Sequence, residues 1–224
     1  MNWQEIEEQN KETLDIAQQY AVLYKKEKEK FPYRINVIQE LHDDENAHSR
    51  ILIKLLKYSD SGNFPWLCSF IDRMNKFCNG SFQFEISKPI INTEVYTGNG
   101  RIDALIMEEQ KYAIIVENKI WDATDQAKQI DRYIMFIHKE CNITLDKIFV
   151  IYLTKDGSKH ISKDSMSDEN KENLGNRFIP MSFRFDILPW IEDDILPKCT
   201  VKEKCMETAI YQYIDYLKGE FGLL

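Results

Sequence analysis

The sequence has no long hydrophobic run. Its longest apolar stretches have about the length of a strand, whereas a helix that crosses a bilayer needs about 20 consecutive apolar residues. The N-terminus is acidic and polar and lacks the hydrophobic segment of a signal peptide. We therefore expect a cytoplasmic protein that has no membrane partner.

Paired cysteine and histidine motifs are also missing. The five cysteines form no CxxC pair, and an odd number suits a reducing compartment better than a disulfide framework. The four histidines are scattered and show no HExxH spacing. These absences argue against a structural or catalytic zinc site.

The chain has fewer basic than acidic residues. The chain has 29 Lys and Arg against 37 Asp and Glu, which gives a net charge of −8. Such a balance argues against an extended, sequence-independent grip on a nucleic acid backbone. It leaves room for an enzyme that reaches phosphates through metal ions, with cations gathered locally on one face.

What the sequence does contain is a predicted β-hairpin with charges at one end. Two apolar runs, residues 102–107 and 112–116, are joined by four polar residues. Asp103 lies near the start of the first run and Glu117 just after the second, so antiparallel pairing would bring the two carboxylates together. Lys119 follows Glu117 by two residues and therefore shares its face of the strand.

Two carboxylates and an ammonium at one point suggest a specific chemistry. Clustered carboxylates repel each other, and a divalent cation with oxygen ligands relieves that repulsion. Mg²⁺ fits this description, with Mn²⁺ as a substitute. A neighbouring lysine can orient or deprotonate the attacking water, and the cation stabilises charge on a phosphate under attack. The residues therefore indicate metal-dependent phosphodiester hydrolysis.

These residues resemble a known signature. The run Gly100–Asp103, followed fourteen residues after the aspartate by Glu117–Lys119 at the end of an apolar strand, is similar to the motif of the PD-(D/E)XK nuclease superfamily. Gln129 and Tyr133 resemble the QxxxY element of its exonuclease-like branch. Ile102 stands where the signature has proline.

The acidic-x-Lys triplet alone is a weak signal. Residues 109–111 and 169–171 carry it too, but both lie in polar surroundings. Only the triplet at residues 117–119 comes directly after a strand-like run. It also has an aspartate before it at the spacing of a hairpin, and a helix with Gln and Tyr after it. The combination is what makes the resemblance specific.

The resemblance implies an α/β, restriction-endonuclease-like αβββαβ core with a mixed central sheet flanked by helices. We expect this core at about residues 43–153 of a single domain over 1–224, with an N-terminal helix and C-terminal helical additions. The predicted helices lie within residues 2–30, from Asp43 or Asp44 to Leu56, and at 65–77, 122–139, 186–191 and 201–217. The other predicted strands lie at 82–96, interrupted near Pro89, and at 147–153 and 178–183. A mobile polar segment is predicted at 155–177.

The resemblance also implies roles for individual residues. For Glu45, the alternative to a role in the site is that its charge only stabilises the N-terminus of its helix through the helix dipole. Gln129 and Tyr133 likewise have an ordinary packing role as the alternative. The implied metal ligands are Glu45, Asp103, Glu117 and the main-chain carbonyl of Asn118. Lys119 would position the attacking water or stabilise the transition state. Gln129 and Tyr133 would orient the site.

The sequence thus predicts a Mg²⁺-dependent nuclease, with DNA as a more fitting partner than RNA and endonuclease action as one mode. The alternative is a non-catalytic nucleic-acid-binding or protein-interaction module that keeps the nuclease fold. The apolar surface at 201–217 can pack on the core or on a second copy in a homodimer. Such proteins often continue beyond the equivalent of Leu224, so the resemblance implies either a short form of the family or a truncated chain whose missing segment holds substrate contacts.

Overall fold

A computed structural model describes residues 11, 13–23, 36–41, 44–199 and 204–224. The chain divides into two compact units, residues 1–36 and 37–224. In the first unit, residues 11 and 13–23 are helical and exposed. The rest of the predicted N-terminal stripe, including Trp3, Ile6 and Tyr24, and the charged run 25–30 lie outside the described residues. The single domain over 1–224 stays a prediction.

The second unit is built on one mixed, five-stranded sheet. Its strands follow the chain order β1 (Ile90–Tyr96), β2 (Arg101–Glu108), β3 (Tyr112–Lys119), β4 (Ile148–Thr154) and β5 (Phe178–Ser182). Neighbours among β1, β2 and β3 are antiparallel, whereas β3, β4 and β5 are parallel. The predicted mixed sheet is confirmed.

Helices cover both faces of this sheet. The longer ones are α1 (Glu45–Leu56), α2 (Pro65–Phe77), α3 (Gln129–Glu140), α4 (Asp168–Leu174) and α5 (Lys204–Glu220). Short α-helices lie at Val37–Glu40 and at Leu188–Trp190, the latter within the helix predicted at 186–191. Apolar residues of α1, α2 and α5 form one core with the sheet, and those of α3 form a second core on the other face. The order αβββαβ is confirmed, with α2 inserted before the first strand.

Strands β3 and β4 are buried at every position. Along β3, Ile114 and Val116 join the core that contains α1. Ala113 and Ile115 point the other way and join the core that contains α3. A strand covered on both faces reads as a continuous apolar run, which is why the sequence predicted a central strand at 147–153.

Helix α1 begins where the sequence placed it. The Asp44 carboxylate caps the helix by accepting a hydrogen bond from the Ala47 amide at 2.7 Å. Asp43, the other predicted cap, lies outside the described residues. Further along α1, Ser49 and Leu52 are buried and Glu45 is half-buried, so the predicted inward face is confirmed.

Helix α3 begins later than predicted. The sequence predicted a start at Asp122, but the helix starts at Gln129. Tertiary hydrogen bonds hold the intervening loop, because the Asp125 carboxylate accepts from the Tyr152 hydroxyl at 3.0 Å and from the Ser162 amide at 2.8 Å. An aspartate with such partners favours loop over helix.

The polar segment at 155–177 contains a helix that the sequence did not predict, while its predicted mobility stays a prediction. It contains α4 and is bonded to the start of α3, since the Lys128 and Ile130 amides donate to the carbonyls of Asp164 and Ser165. These bonds satisfy amides of the first turn of α3. The segment therefore takes part in shaping the start of that helix.

The predicted strand at 82–96 is regular only from Ile90. Just before it, the Ser87 and Lys88 amides donate to the Glu108 carboxylate at 3.0 and 3.2 Å. Lys111 forms an ion pair with the same carboxylate. Burial opposes ionisation of Glu108, but these bonds prevail and lower its pKa from 4.5 to about 2.

We expect Glu108→Gln to lower the free energy of unfolding at pH 7 by about 1–3 kcal/mol, because one amide oxygen cannot accept all these bonds. A carboxyl whose pKa is depressed by folding stabilises the fold above its unfolded pKa and loses that effect as pH falls towards 2. The difference in unfolding free energy between the intact chain and Glu108→Gln should therefore be smaller at pH 3 than at pH 7 in urea titrations. Glu109→Gln, in the adjacent exposed turn, is the control; a deficit equal at both pH values would contradict the assignment.

The apolar face of α5 packs inside the chain. Ile210, Tyr213 and Leu217 are buried against the core, and the Tyr213 hydroxyl lies 2.9 Å from His48 Nδ1. Of the two predicted roles for this surface, packing on the core is the one observed. Residues 201–203 lie outside the described residues. None of the described helices is both long and apolar enough to cross a membrane.

Candidate active site

The two predicted carboxylates meet where β2 and β3 begin to separate. Ala104 pairs with Val116, so Asp103 and Glu117 are the next residues along the two strands. Asp103 Oδ2 accepts a hydrogen bond from the Asn118 amide at 2.9 Å. The hairpin therefore brings both acidic side chains to one end of the sheet.

Lys119 shares the face of Glu117. Its Nζ lies 2.8 Å from Glu117 Oε1 and 4.0 Å from Asp125 Oδ1. The Lys119, Glu117 and Asp125 side chains are only 6%, 2% and 3% exposed, so water screens these charges weakly. The ammonium is held among carboxylates inside the protein.

Gln129 and Tyr133 extend this network from the first turns of α3. Gln129 Nε2 donates to Glu117 Oε1 at 2.8 Å and contacts the Tyr133 hydroxyl at 3.1 Å. The Tyr133 hydroxyl donates to the Arg101 carbonyl at 2.6 Å. The two side chains are four residues apart and so lie on one face of the helix. They connect α3 to both strands that carry the carboxylates.

Glu45 and Asn118 join α1 to the same region. Glu45 Oε1 accepts from the Trp121 amide at 3.2 Å. The Asn118 side chain points towards α1, where Nδ2 donates to the Glu45 carbonyl at 2.8 Å and to Ser49 Oγ at 3.0 Å. Asn118 therefore anchors β3 to α1 through its side chain, and only its main chain is left for the predicted ligand role.

A single cleft of about 330 Å³ collects the predicted residues. Arg101 lies on its wall and is held by Glu94 and Asn46, at 2.9 and 2.7 Å. Glu94 therefore acts on the cleft through this arginine. Of the seven predicted site residues, only Asn118 does not line the cleft. The six that do are Glu45, Asp103, Glu117, Lys119, Gln129 and Tyr133.

The acidic groups of the cleft have perturbed pKa values. Burial, followed by the nearby Asp103 charge, raises the pKa of Glu117 to about 8. Burial is also the main cause that raises the pKa of Asp103, against the opposing effects of the Asn118 amide and Lys119. Glu117 Oε2 is buried and has no hydrogen-bond partner. Buried polar atoms normally have one, so this oxygen is available to a ligand.

Burial works against the charge of Lys119, but the carboxylates around it prevail. Glu117, Asp103 and Asp125 together raise the pKa of Lys119 above its ordinary value. The side chain is therefore an ammonium in this arrangement. It is suited to donate hydrogen bonds and to stabilise negative charge.

Sequence reasoning missed Asp125 and Tyr152. Asp125 lay inside the stretch predicted as helix, and Tyr152 lay inside an apolar strand. Only the fold brings them together, because Tyr152 pairs with Glu117 across β3 and β4. The tyrosine hydroxyl within an otherwise apolar strand was the one available signal, since a buried hydroxyl needs a partner.

A comparison with protein families agrees with this geometry. A family model of the PD-(D/E)XK nuclease superfamily matches residues 33–215. The chain belongs to the PD-(D/E)XK nuclease superfamily. Neither a curated protein nor a solved structure gives a significant match. Membership in the QxxxY branch of this nuclease superfamily stays a prediction.

The PD-(D/E)XK site is not a ready-made metal centre. Across the ranges that the structure describes, no three His, Cys, Asp or Glu side chains already surround a common point as ligands. Its donor set is nonetheless of the oxygen type that Mg²⁺ prefers. The unpartnered Glu117 Oε2 beside Asp103 is the feature that fits a cation.

Gly100 sets the distance between the β1–β2 turn and α3. Its φ is +155°, and a Cβ at this position would lie 3.3 Å from Tyr133 Cε1 and 3.6 Å from Arg132 Nη2. We expect Gly100→Ala to lower the free energy of unfolding by about 1–3 kcal/mol. Gly98→Ala also has a positive φ but open space around the added Cβ, so it should cost less in the same urea titration. Equal losses would show that the contact with α3 is unimportant.

Proposed function

We propose that the chain is a divalent-metal-dependent nuclease that hydrolyses phosphodiester bonds in DNA, with Mg²⁺ as the ion and Mn²⁺ as a substitute. The observation that carries this proposal is the state of Glu117. One of its oxygens binds Lys119 and Gln129, while the other is buried without a partner in a carboxyl group whose pKa is raised by burial and by the Asp103 charge. An oxygen so placed is a natural ligand for a hard cation.

The ligands would be Glu117 Oε2, Asp103, Glu45 and the Asn118 carbonyl. The Asn118 amide faces Asp103, and the carbonyl of an extended residue points to the same side of the strand as its amide. A bound divalent ion would lower the pKa of an attacking water and neutralise charge on the phosphate. It would also offset the burial of Glu117 and its repulsion by Asp103, which together raise the pKa of Glu117.

The protein's own residues supply orientation and charge. The Lys119 ammonium, fixed by Glu117 and Asp125, orients the attacking water as its oxygen forms the new bond to phosphorus. As the bond from phosphorus to the leaving oxygen breaks, the same ammonium stabilises the negative charge on the phosphate. The water proton passes to solvent, and a proton from solvent is taken up by the leaving oxygen.

Other residues hold this arrangement in place. Gln129 holds Glu117 in position, and Tyr133 holds the start of β2 through the Arg101 carbonyl. The Arg101 side chain, 46% exposed on the cleft wall, is suited to contact a neighbouring phosphate.

Three finer points belong to the same proposal. Endonucleolytic cutting fits a cleft built into the end of the sheet. The five cysteines are free thiols, which fits a reducing compartment such as the cytoplasm. A homodimer would use what α5 leaves exposed, since Tyr211 is 53% exposed while the main apolar face is covered within the chain.

The test is cleavage of supercoiled plasmid, linear duplex, single-stranded DNA and RNA with Mg²⁺, with Mn²⁺ and with EDTA. The intact chain should cut DNA only when a divalent ion is present, and Asp103→Asn should not cut. Nicking of the closed plasmid would establish endonuclease action. A protein that binds DNA but cuts nothing with either ion would favour the non-catalytic alternative.

A further inference from the structure

We propose that the groove beside the cleft binds a single-stranded segment of the substrate next to the bond that is cut. The side groove, as we name it, has a volume of about 690 Å³ and lies between the β1–β2 turn and the outer face of α3. The inference rests on the proposed function and deepens it by naming the form of nucleic acid. The residues that carry it are Tyr96, Lys128, Arg132 and Lys139.

The side groove continues from the cleft. Arg132 lines the groove, and its Nη2 donates to Gln126 Oε1 at 3.1 Å, while Gln126 lines the cleft. The next residue, Tyr133, is part of the cleft wall. A strand that leaves the carboxylates along this wall therefore passes directly over the Arg132 guanidinium.

The side groove gathers cations in an acidic protein. Within the described residues, no carboxylate forms an ion pair with Lys128, Arg132 or Lys139, although Asp131 and Glu140 also line the groove. The Arg132 guanidinium donates to the Ala127 carbonyl and to Gln126 Oε1, which fixes its position on the groove wall. Asp131 is turned towards α4, where it accepts from the Ser167 amide at 3.0 Å. Phosphates are the ligands that such unpaired cations select.

These cations form a row. Arg132 and Lys139 are seven residues apart and therefore share one face of α3, while Lys128 precedes the helix as its N-cap residue. Seven residues at 1.5 Å rise separate Arg132 from Lys139 by about 10 Å, and Lys128 extends the row beyond the start of the helix. A row of this length suits several consecutive phosphates of one strand rather than a single bound anion.

An exposed aromatic ring stands over the other wall. Tyr96 is 73% exposed, and its hydroxyl donates to the Gly98 carbonyl at 2.9 Å, which fixes the ring on the turn. Bases stack on such rings only when they are free of their own stack. The ring and the row of cations together therefore select a single strand over an intact duplex.

The experiment measures equilibrium binding of a fluorescently labelled 20-nucleotide single strand to the full chain. EDTA suppresses cleavage, and salt is varied from 50 to 200 mM. The intact chain should bind this strand more tightly than a blunt duplex of the same sequence. Lys128→Gln/Lys139→Gln should weaken binding on the order of tenfold and lower the salt slope by about 1.4, the value for two phosphate contacts on a single strand.

The aromatic ring is tested separately from the charges. Tyr96→Ala should weaken binding on the order of tenfold without changing the salt slope, because it removes stacking and no charge. Tyr96→Phe keeps the ring and should bind like the intact chain. The charge control is Lys57→Gln/Lys76→Gln, which neutralises two exposed lysines at the far ends of α1 and α2.

The outcomes separate the two proposals. Equal affinities and salt slopes for the groove variants and the charge control would overturn the side groove, as would tighter binding of the duplex or no binding at all. If the groove variants lose binding but the intact chain cuts no substrate, the side groove is confirmed as a single-strand binding site and the nuclease proposal is overturned. If the intact chain cuts while groove variants bind normally, only the nuclease stands.

Discussion

Lys119→Met should reduce the rate of metal-dependent cleavage by roughly 10²- to 10³-fold, the loss typical of removing one donor from a transition state. The Lys119 Nζ lies 2.8 Å from Glu117 Oε1 at the bottom of the cleft. Methionine keeps the length and apolar stem of the side chain but removes the ammonium. The measurement is single-turnover cleavage at saturating protein and metal.

The substitution also disturbs its surroundings, so folding must be measured alongside. Without the ammonium, Glu117 and Asp125 face each other with no cation, and protonation of Glu117 becomes easier. Circular dichroism and a thermal melt of the metal-free protein show whether the fold persists. A folded Lys119→Met protein with full activity would mean that the site is elsewhere.

The chain contains its own control for this experiment. Residues 169–171 repeat the tripeptide Glu-Asn-Lys of residues 117–119, but they lie on the short helix α4, where Glu169 and Lys171 are exposed. Lys171→Met therefore makes the same chemical change outside the cleft and should leave the cleavage rate unaltered. A comparable loss in both variants would point to a nonspecific effect of lost positive charge.

The contrast between these two triplets shows how much of the site was predictable. Alternation along a strand fixes which side chains share a face, so Glu117 and Lys119 were placed together from sequence. The hairpin added Asp103, because antiparallel pairing follows from two apolar runs joined by a short polar turn. Local rules were sufficient for these three residues.

The remainder depends on contacts that no local rule contains. Asp125 reaches Lys119 because the Ser162 amide and the Tyr152 hydroxyl, which are distant in sequence, hold its carboxylate. Those tertiary bonds also explain why the loop before Gln129 is not helical. The late start of α3, in turn, places Gln129 in the first turn, where its amide meets Glu117.

For the proposed binding of a nucleic acid strand, the placement of charge matters more than the net charge. A total of −8 argues against a broad basic surface. The fold nonetheless gathers Lys128, Arg132 and Lys139 along the side groove, and none of them forms an ion pair among the described residues. The net charge describes the electrostatic potential averaged over the whole surface. A bound nucleic acid strand would interact with the local potential of the groove.

Glu117→Gln should abolish stabilisation by divalent ions. At a metal concentration 100 times its dissociation constant, binding to the folded state contributes about 2.7 kcal/mol. For a domain of this size that corresponds to a rise in melting temperature of about 5–10 °C. The intact chain should show this rise with Mn²⁺, and Glu117→Gln should show none, because the amide replaces the buried, unpartnered oxygen with a group that cannot bind the cation.

The pH dependence separates this mechanism from nonspecific ion binding. Glu117 has a pKa of about 8 in the folded, metal-free protein, so at pH 6 an ion must displace its proton, whereas near pH 8.5 the carboxylate is largely ionised. The melting-temperature shift caused by Mn²⁺ in the intact chain should therefore grow from pH 6 to pH 8.5. Glu169→Gln, the matched change in the exposed triplet, should behave like the intact chain. A shift that is equal at both pH values, or that persists in Glu117→Gln, would remove Glu117 from the ligands and leave Asp103 and Glu45 as the candidates.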